Sequence, residues 1–435
     1  MSSLSLRALV ADTRPLRERH VRRLWVAQII TVIGAQLTVV AVPAQIYADT
    51  KSSAYVGLTG LFGLVPLVIF GLYGGALADH FDRRKMLMVT TIGLIASSGL
   101  FWLQSALGSH NVWLLLCLFS VQQAFFAVNQ PTRQAVLPKL LPHELLPAAN
   151  ALFMTVFQAG AIAGPLVAGV LIPITGYTYL YLIDTITLFA TLYAVIFLPK
   201  MPVEGAGTKA PGIRSVLDGF VYLRTQPVLL MSFVVDLIAM TFGMPRALYP
   251  QIAHESFLGP ADGGIIFALL YAAIPAGSVI GGIFSGWLSR AERQGLIVLW
   301  CISVWGLGIA LFGATLWVTP SLRMPMLVLG LFFQMVAGAA DVASAAIRSS
   351  ILQSAADDNV RGRLQGVFTV VVAGGPRIAD VLHGGVAAVA GTAATTAGGG
   401  GLVMVGIVLC AVLAPSFVRY RVTHRPIVEP AAQEA

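Results

Sequence analysis

Long apolar runs separated by short polar stretches set the pattern of this chain. Twelve runs are centred near Gly34, Pro66, Ile95, Phe119, Ile162, Phe189, Leu237, Pro275, Ile309, Met335, Val372 and Val408. A helix needs about 20 apolar residues to cross the hydrocarbon core of a bilayer, so each run predicts a transmembrane helix. The fourth and eleventh are the weakest, because they carry polar residues inside. The longest polar stretch, roughly 200–226, holds Pro202, Gly205, Gly207, Pro211 and Gly212 and divides the runs six and six. A short amphipathic piece is expected within it, from Ile213 to Leu223. The other connections are short, as between adjacent antiparallel helices. The Gly/Ala/Thr-rich stretch from Gly391 to Gly401 reads as a mobile outer loop. The expected organisation is an N-terminal segment (1–23), a six-helix bundle (24–199), a linker (200–226), a second six-helix bundle (227–420) and a disordered tail (421–435). The fold class is therefore an all-α membrane protein, with twelve transmembrane helices in two six-helix bundles.

Composition strengthens this picture. Of 435 residues, 57% are hydrophobic and 11% charged, with a mean hydropathy of +0.83. A soluble domain carries about 25% charged residues, so lipid must be the main solvent here. The 44 Gly and 23 Pro are better tolerated in membrane helices than in soluble ones. The net charge of +8 raises the question of nucleic acid, but the positions of the basic residues answer it. With a cytoplasmic N-terminus, only Lys51, Arg246 and Arg323 of the 27 Lys and Arg fall outside, Arg377 falls mid-span, and the other 23 fall inside. That is the positive-inside bias, and it puts both termini in the cytoplasm. No nucleic-acid partner is expected. Cys117, Cys301 and Cys410 lie in separate spans and read as small buried hydrophobes. The first 23 residues are polar and basic, and the run after them is too long for a signal-peptide core, so it is expected to stay as a helix.

Between the second and third runs lies Gly75-Ala76-Leu77-Ala78-Asp79-His80-Phe81-Asp82-Arg83-Arg84-Lys85. The basic triplet fixes the loop on the cytoplasmic side. A topology signal accounts for the Arg run but not for the Gly-to-Asp spacing. Gly lets helix backbones approach closely, and Asp79 can sit against the positive end of a neighbouring helix and pair with a basic side chain. The stretch resembles the signature loop between helices 2 and 3 of the major facilitator superfamily of transporters. Gly75, Asp79, Arg83 and Arg84 match, whereas His80 stands where Arg or Lys is usual and Asp82 where Gly is usual. The resemblance implies the major facilitator fold and a gating latch that holds the two halves together when the outward side is open.

In the fifth run, Gly160 and Gly164 form a small-residue face, and Pro165 removes an amide donor and bends or loosens the helix. Any Gly-rich span packs closely, but with Pro165 and Gly169 the pattern resembles the helix-5 signature of superfamily exporters, with Ala168 in place of one Gly. Leu248-Tyr249-Pro250, Tyr271-Ala272-Ala273-Ile274-Pro275 with Gly281, Ser285-Gly286, Gly295-Leu296 and Gly362-Arg363-Leu364-Gln365-Gly366 resemble the enterobactin exporter group. Gly286 to Arg293 ends the eighth run as Gly75 to Arg84 ends the second, a weak internal echo that lacks the Asp.

Charges inside a membrane cost about 2.5–3.5 kcal/mol or more at the centre, so they serve function or pair. Arg377 and Asp380 are three apart, share a helical face and are expected to form an intramembrane ion pair; His383 extends the stripe. Asp236 and Asp341, on the seventh and tenth runs, have no basic residue within one turn, although Arg348 shares the face of Asp341 seven residues on. A carboxyl in a low dielectric takes up a proton more readily, so Asp236 and Asp341 are the proton-coupling candidates, against the plainer reading of structural ion pairs. Asp184 sits nearer an end of the sixth run. The first run has no acidic residue, only Gln28, Gln36 and Gln45. The fourth lacks the mid-helix Arg common in superfamily proton antiporters. Gln36, Gln122, Gln123, Asn129 and Gln158 are candidates for lining a substrate cavity, or equally for hydrogen-bonding between helices.

The sequence shows no phosphate-binding Gly loop with Lys, no metal-ligand cluster and no nucleophile beside a base. No cofactor, metal or catalytic residue is expected, and ATP has no domain through which to drive transport. The resemblance implies a proton-coupled exporter of a small amphipathic, siderophore-like molecule, monomeric in the bacterial cytoplasmic membrane. A broad-specificity drug efflux pump is the alternative. A membrane-embedded enzyme would need clustered acid–base or metal-binding side chains, and a receptor or channel would not need the latch and the bend.

Overall fold

The computed structural model describes residues 12–201, 221–286, 291–317, 320–355 and 358–421, with side chains described for all of these but 72–80, 320 and 353–370. The amphipathic piece from Ile213, most of the linker and the C-terminal tail lie outside the described residues. So do residues 287–290 of the internal echo.

The long helices are α1 (Arg19–Thr50), α2 (Ser53–His80), α3 (Arg83–Ala106), α4 (Val112–Gln134), α5 (Leu146–Ile196), α6 (Pro227–Phe242), α7 (Ile265–Ile283), α8 (Gln294–Ala314), α9 (Arg323–Ala355), α10 (Asp358–Ala390) and α11 (Thr392–Leu413). No strand occurs among the described residues. Among the described residues, ten helical stretches are long and apolar enough to cross a membrane. The polar exception is α10, which carries Arg377, Asp380 and His383.

Helix α5 is two passes. Its 51 residues would measure about 77 Å as one straight helix, more than twice the hydrocarbon core. The chain breaks at Gly176, whose φ of 71° and ψ of 178° suit a residue without Cβ. Before the break, the sites at Gly160 and Gly164 meet Val32 and Gln36, so this arm runs parallel to α1. After it, Tyr181, Asp184 and Thr191 bond Gln45, Thr38 and Thr31, so the second arm runs antiparallel to α1. Counting α5 twice gives twelve long helical arms among the described residues, six on either side of the polar stretch.

Local chemistry sets the boundaries. Glu18 caps α1 by accepting from His20 N. Asp82 caps α3 by accepting from the amides of Arg84 and Lys85, at 2.9 and 3.3 Å, and Asn111 caps α4 in the same way. The cap accounts for Asp82 standing where the superfamily usually has Gly.

One expectation is corrected here. The stretch 391–401 is not an outer loop but the start of α11, with Gly391 (φ 79°) as its N-cap. A Cβ at Gly399 would come within 2.3 Å of Phe242 O, and one at Gly400 within 2.3 Å of Ala310 N. Glycines that mark a loop in water serve here as the face by which α11 approaches α6 and α8.

The distribution of the core divides the molecule into halves. One buried cluster draws on both: Leu37, Tyr47, Val56 and Tyr181 from the first half pack with Leu248, Tyr249, Phe267 and Phe312 from the second. It lies toward the face opposite the one where α1 begins and α11 ends. Toward the terminal face the clusters separate, with Leu24, Leu87 and Val195 in the first half and Leu229, Ile351 and Phe417 in the second. Two hydrogen bonds, from Tyr47 Oη to Glu255 Oε1 (3.0 Å) and from Tyr177 Oη to the Asp262 carbonyl (2.6 Å), reinforce the seal.

Candidate functional site

The seam between the halves runs along glycines. On α2, Gly57, Gly60 and Gly63 recur every three residues and face α10. A Cβ at Gly60 would lie 2.2 Å from the Arg377 carbonyl oxygen, and one at Gly57 would lie 2.6 Å from that of Asp380. On α5 the exporter-like pattern does two jobs. Gly160, Gly164 and the buried Pro165 pack within the first half, whereas a Cβ at Gly169 would meet Ala268 of α7 at 2.3 Å, across the seam.

A charged cluster sits against this seam. Arg246 Nη2 reaches Asp380 Oδ2 at 2.7 Å. Arg377 Nη2 donates to Gln123 Oε1 of α4, at 3.0 Å, with its guanidinium 5.3 Å from the centroid of the Phe119 ring. Tyr249 donates to Gln334 Oε1 at 3.1 Å and meets Tyr271 edge-on with centroids 5.2 Å apart. Two expectations are corrected. Asp380 pairs with Arg246, not with Arg377, because the Arg377 side chain extends past Gly63 into the first half. Arg246 is not an outer-loop charge, because the chain turns at Pro245 into a short 3₁₀ segment, Arg246–Leu248, that brings it back to α10.

A second cluster lies inside the second half. Arg348 of α9 pairs with Asp236 Oδ1 of α6, and its Nη2 lies 3.9 Å from Asp341 Oδ1. Its Nε donates to Ser344 Oγ at 3.2 Å. Asp236 and Asp341 thus share one cation, which corrects the expectation that both stand without a basic partner. Arg348 reaches Asp236 from another helix, and its reach back to Asp341 spans two helical turns. Asp236 and Arg348 are buried, whereas the Asp341 side chain is 29% exposed.

The first half holds polar groups that sequence reasoning undervalued. Asp184 is buried, accepting from Thr38 Oγ1 at 2.7 Å and Ser98 Oγ at 2.9 Å, with no cation within salt-bridge reach among the described residues. Arg133 bonds Gln28 and lies 5.6 Å from the centroid of the Phe153 ring. Of the expected cavity residues, Gln123 is at the seam with Arg377. Asn129 is buried and donates to Thr90 and Thr91, joining α4 to α3. Gln36 packs against Gly164, and Gln36, Gln122 and Gln158 are partly exposed. The five therefore do not form one cluster.

The side chains of Gly75 and Asp79 of the latch, and those from Gly362 to Gly366, lie outside the described residues. Arg84 donates to the Ile196 carbonyl, and Asp82 Oδ2 accepts from Met201 N at 3.3 Å, so the start of α3 is tied to the end of α5. An apolar cavity of about 620 Å³, lined by Pro66, Phe70, Val89, Val121, Phe125 and Val128, lies between α2, α3 and α4. Val89 and Val121 face outward, so it is a lipid-side groove away from both charged clusters. No group of metal-ligating side chains occurs among the described residues.

Two helical halves that meet over a charged seam, closed at one face and separately packed at the other, define a membrane transporter of the two-bundle type. The Major Facilitator Superfamily model matches residues 24–379, and the chain belongs to that family. It is 30% identical over 397 residues to the enterobactin exporter EntS of Shigella boydii serotype 18, with 90% of this chain and 91% of that protein covered. The same figures hold for EntS of Escherichia coli O81. Among solved structures, a POT family transporter in complex with 5-aminolevulinic acid superposes with a TM-score of 0.71 at 12% identity, covering 92% of this chain and 97% of that one. A bacterial homologue of the iron transporter ferroportin in the outward-facing state gives 0.59 at 14% identity, covering 92% and 99%. At such identities the structural likeness speaks for the fold alone.

Proposed function

We propose that the protein is a proton-coupled exporter of a small amphipathic, siderophore-like molecule across the bacterial cytoplasmic membrane, with both termini in the cytoplasm. The observation that carries this reading is the identity with EntS along nine-tenths of both chains. The positive-inside distribution of Lys and Arg supports the orientation. On that orientation the face where one buried cluster joins both halves is the outer one, and the face where the clusters separate is the cytoplasmic one, the side from which an exporter loads.

The cluster Asp236–Arg348–Asp341 supports the coupling. Two carboxyls facing one guanidinium leave one negative charge in excess, which a single proton neutralises. Arg348 holds Asp236 directly and reaches Asp341 only at 3.9 Å, so Asp341 is assigned the exchangeable proton and Asp236 the anchoring of Arg348. Proton binding at Asp341 then alters the link of α9 to α6, within the half that must rock against its partner. Asp79, with Gly75, Arg83 and Arg84, is assigned the latch that holds the two halves together when the outward side is open.

The test is export from cells lacking the gene and from cells carrying it, with a labelled panel of siderophores and amphipathic dyes. Selective export of siderophores supports the reading. Export of the dyes without preference favours the drug-efflux alternative, and no export of any compound contradicts both.

A further inference from the structure

The seam cluster is unbalanced in charge. Arg246 and Arg377 are two cations, and Asp380 is the one carboxylate paired with either among the described residues. Arg377 is held by neutral partners only: the Gln123 amide oxygen, the face of Phe119 and the space left by Gly63, where a Cβ would come within 3.0 Å of the guanidinium carbon. These fix its position without neutralising it. Arginine has five N–H donors in a planar fork, and the bond to Gln123 uses one nitrogen. Arg377 and Asp380 lie one turn apart on α10, and Arg246 is joined to Asp380.

Access follows the same asymmetry. The Arg246 side chain is 27% exposed and that of Asp380 3%, and Arg377 is partly exposed. The guanidinium groups are therefore more accessible than the carboxylate. The buried ring of Phe119 backs the Arg377 guanidinium. A cation held in a membrane interior with no salt-bridge partner of its own among the described residues points to a ligand path.

We infer that Arg377, with Arg246 beside it, forms an anion-binding subsite at the seam, which takes the oxyanion of an amphipathic cargo. An oxyanion matches the guanidinium fork through two parallel hydrogen bonds. Asp380 pairs with Arg246, so Arg377 receives the anion. Because Arg377 belongs to the second half and Gln123 to the first, the bound anion adds a contact across the seam. This inference rests on the exporter reading and specifies the charge of its cargo.

The test is equilibrium binding to the purified full-length protein, with dansylglycine and its uncharged carboxamide as fluorescent probes. Wild type is expected to prefer the acid by roughly tenfold or more, with the preference shrinking as salt is raised. Arg377→Gln should bring the two probes to within about twofold, and Arg377→Lys should fall between, since it keeps charge but not the fork. Equal affinities in wild type overturn the subsite, and so does a full preference retained in a folded Arg377→Gln protein. If Arg377→Gln does not fold, Gln123→Ala serves instead, with a reduced preference expected and an unchanged one counting against the site. Failure here leaves the exporter reading intact wherever neutral probes are still exported. A clear anion preference in a protein that exports nothing would overturn the exporter reading and leave the subsite standing.

Discussion

Gly60→Ala tests how the halves are held together. The added methyl would lie 2.2 Å from the Arg377 carbonyl oxygen and 2.8 Å from Asp380 Cβ. The first contact is backbone, so α2 and α10 must separate. Overpacking of this kind costs about 1–3 kcal/mol. The contact joins the two halves, so the whole penalty falls on the state closed at this face and shifts the balance toward the open one by about 5–150-fold. Ser53 reports on that balance: its side chain is buried and bonds the Gly384 carbonyl across the seam at 3.3 Å. In a protein whose only thiol is Ser53→Cys, a membrane-impermeant maleimide should label slowly from the closed face. Adding Gly60→Ala should speed labelling about fivefold or more. Gly71→Ala is the control, since no atom lies within 4 Å of its added Cβ, and it should leave the rate unchanged. Equal rates in the two variants, at equal melting temperature, would refute the close α2–α10 contact as the closing element.

The remaining predictions concern charge and topology. Asp341→Asn should abolish uphill, pH-driven export but keep downhill exchange, whereas Asp236→Asn should also lower thermal stability, by about 3–5 kcal/mol, because it leaves buried Arg348 without its close partner; a stable Asp236→Asn protein would reverse the assignment. Asp79→Asn should cripple transport at normal abundance, since the latch needs the charge and the amide is nearly isosteric; wild-type transport at equal expression would remove that role. Thr38→Val should cost about 1 kcal/mol in thermal unfolding by removing one of two hydroxyl donors to Asp184. A reporter active only in the cytoplasm, fused after Ala435, should be active, and silence would overturn the orientation.

The gross architecture was legible because spanning a bilayer demands apolar runs of a fixed length, and polar residues cannot hide inside them without purpose. The runs centred near Ile162 and Phe189 already separate the two arms of α5 in the sequence, and Gly176 supplies the turn between them. What the linear pattern missed depends on where the chain turns. Arg246 reads as a loop residue until Pro245 folds the segment back to Asp380. The three-residue spacing of Arg377 and Asp380 correctly gave a shared face, yet a long guanidinium stem let Arg377 reach Gln123 on another helix instead. The role of Asp184 is not legible in the sequence, because the hydroxyls on α1 and α3 that satisfy it are far from it along the chain. The spacing of Gly57, Gly60 and Gly63 was a usable signal for the seam, as was the Gly160–Gly164–Gly169 series on α5.

The central claim is that rocking of two halves around this seam is driven by proton entry. Reconstitution of the purified protein in liposomes with an imposed pH gradient, inside acidic or alkaline, tests it most directly with a labelled anionic siderophore as cargo. The account predicts accumulation above the equilibrium concentration in the direction opposite to proton flow, collapsing when a protonophore is added and absent in Asp341→Asn. Accumulation that is the same with and without the gradient would contradict it.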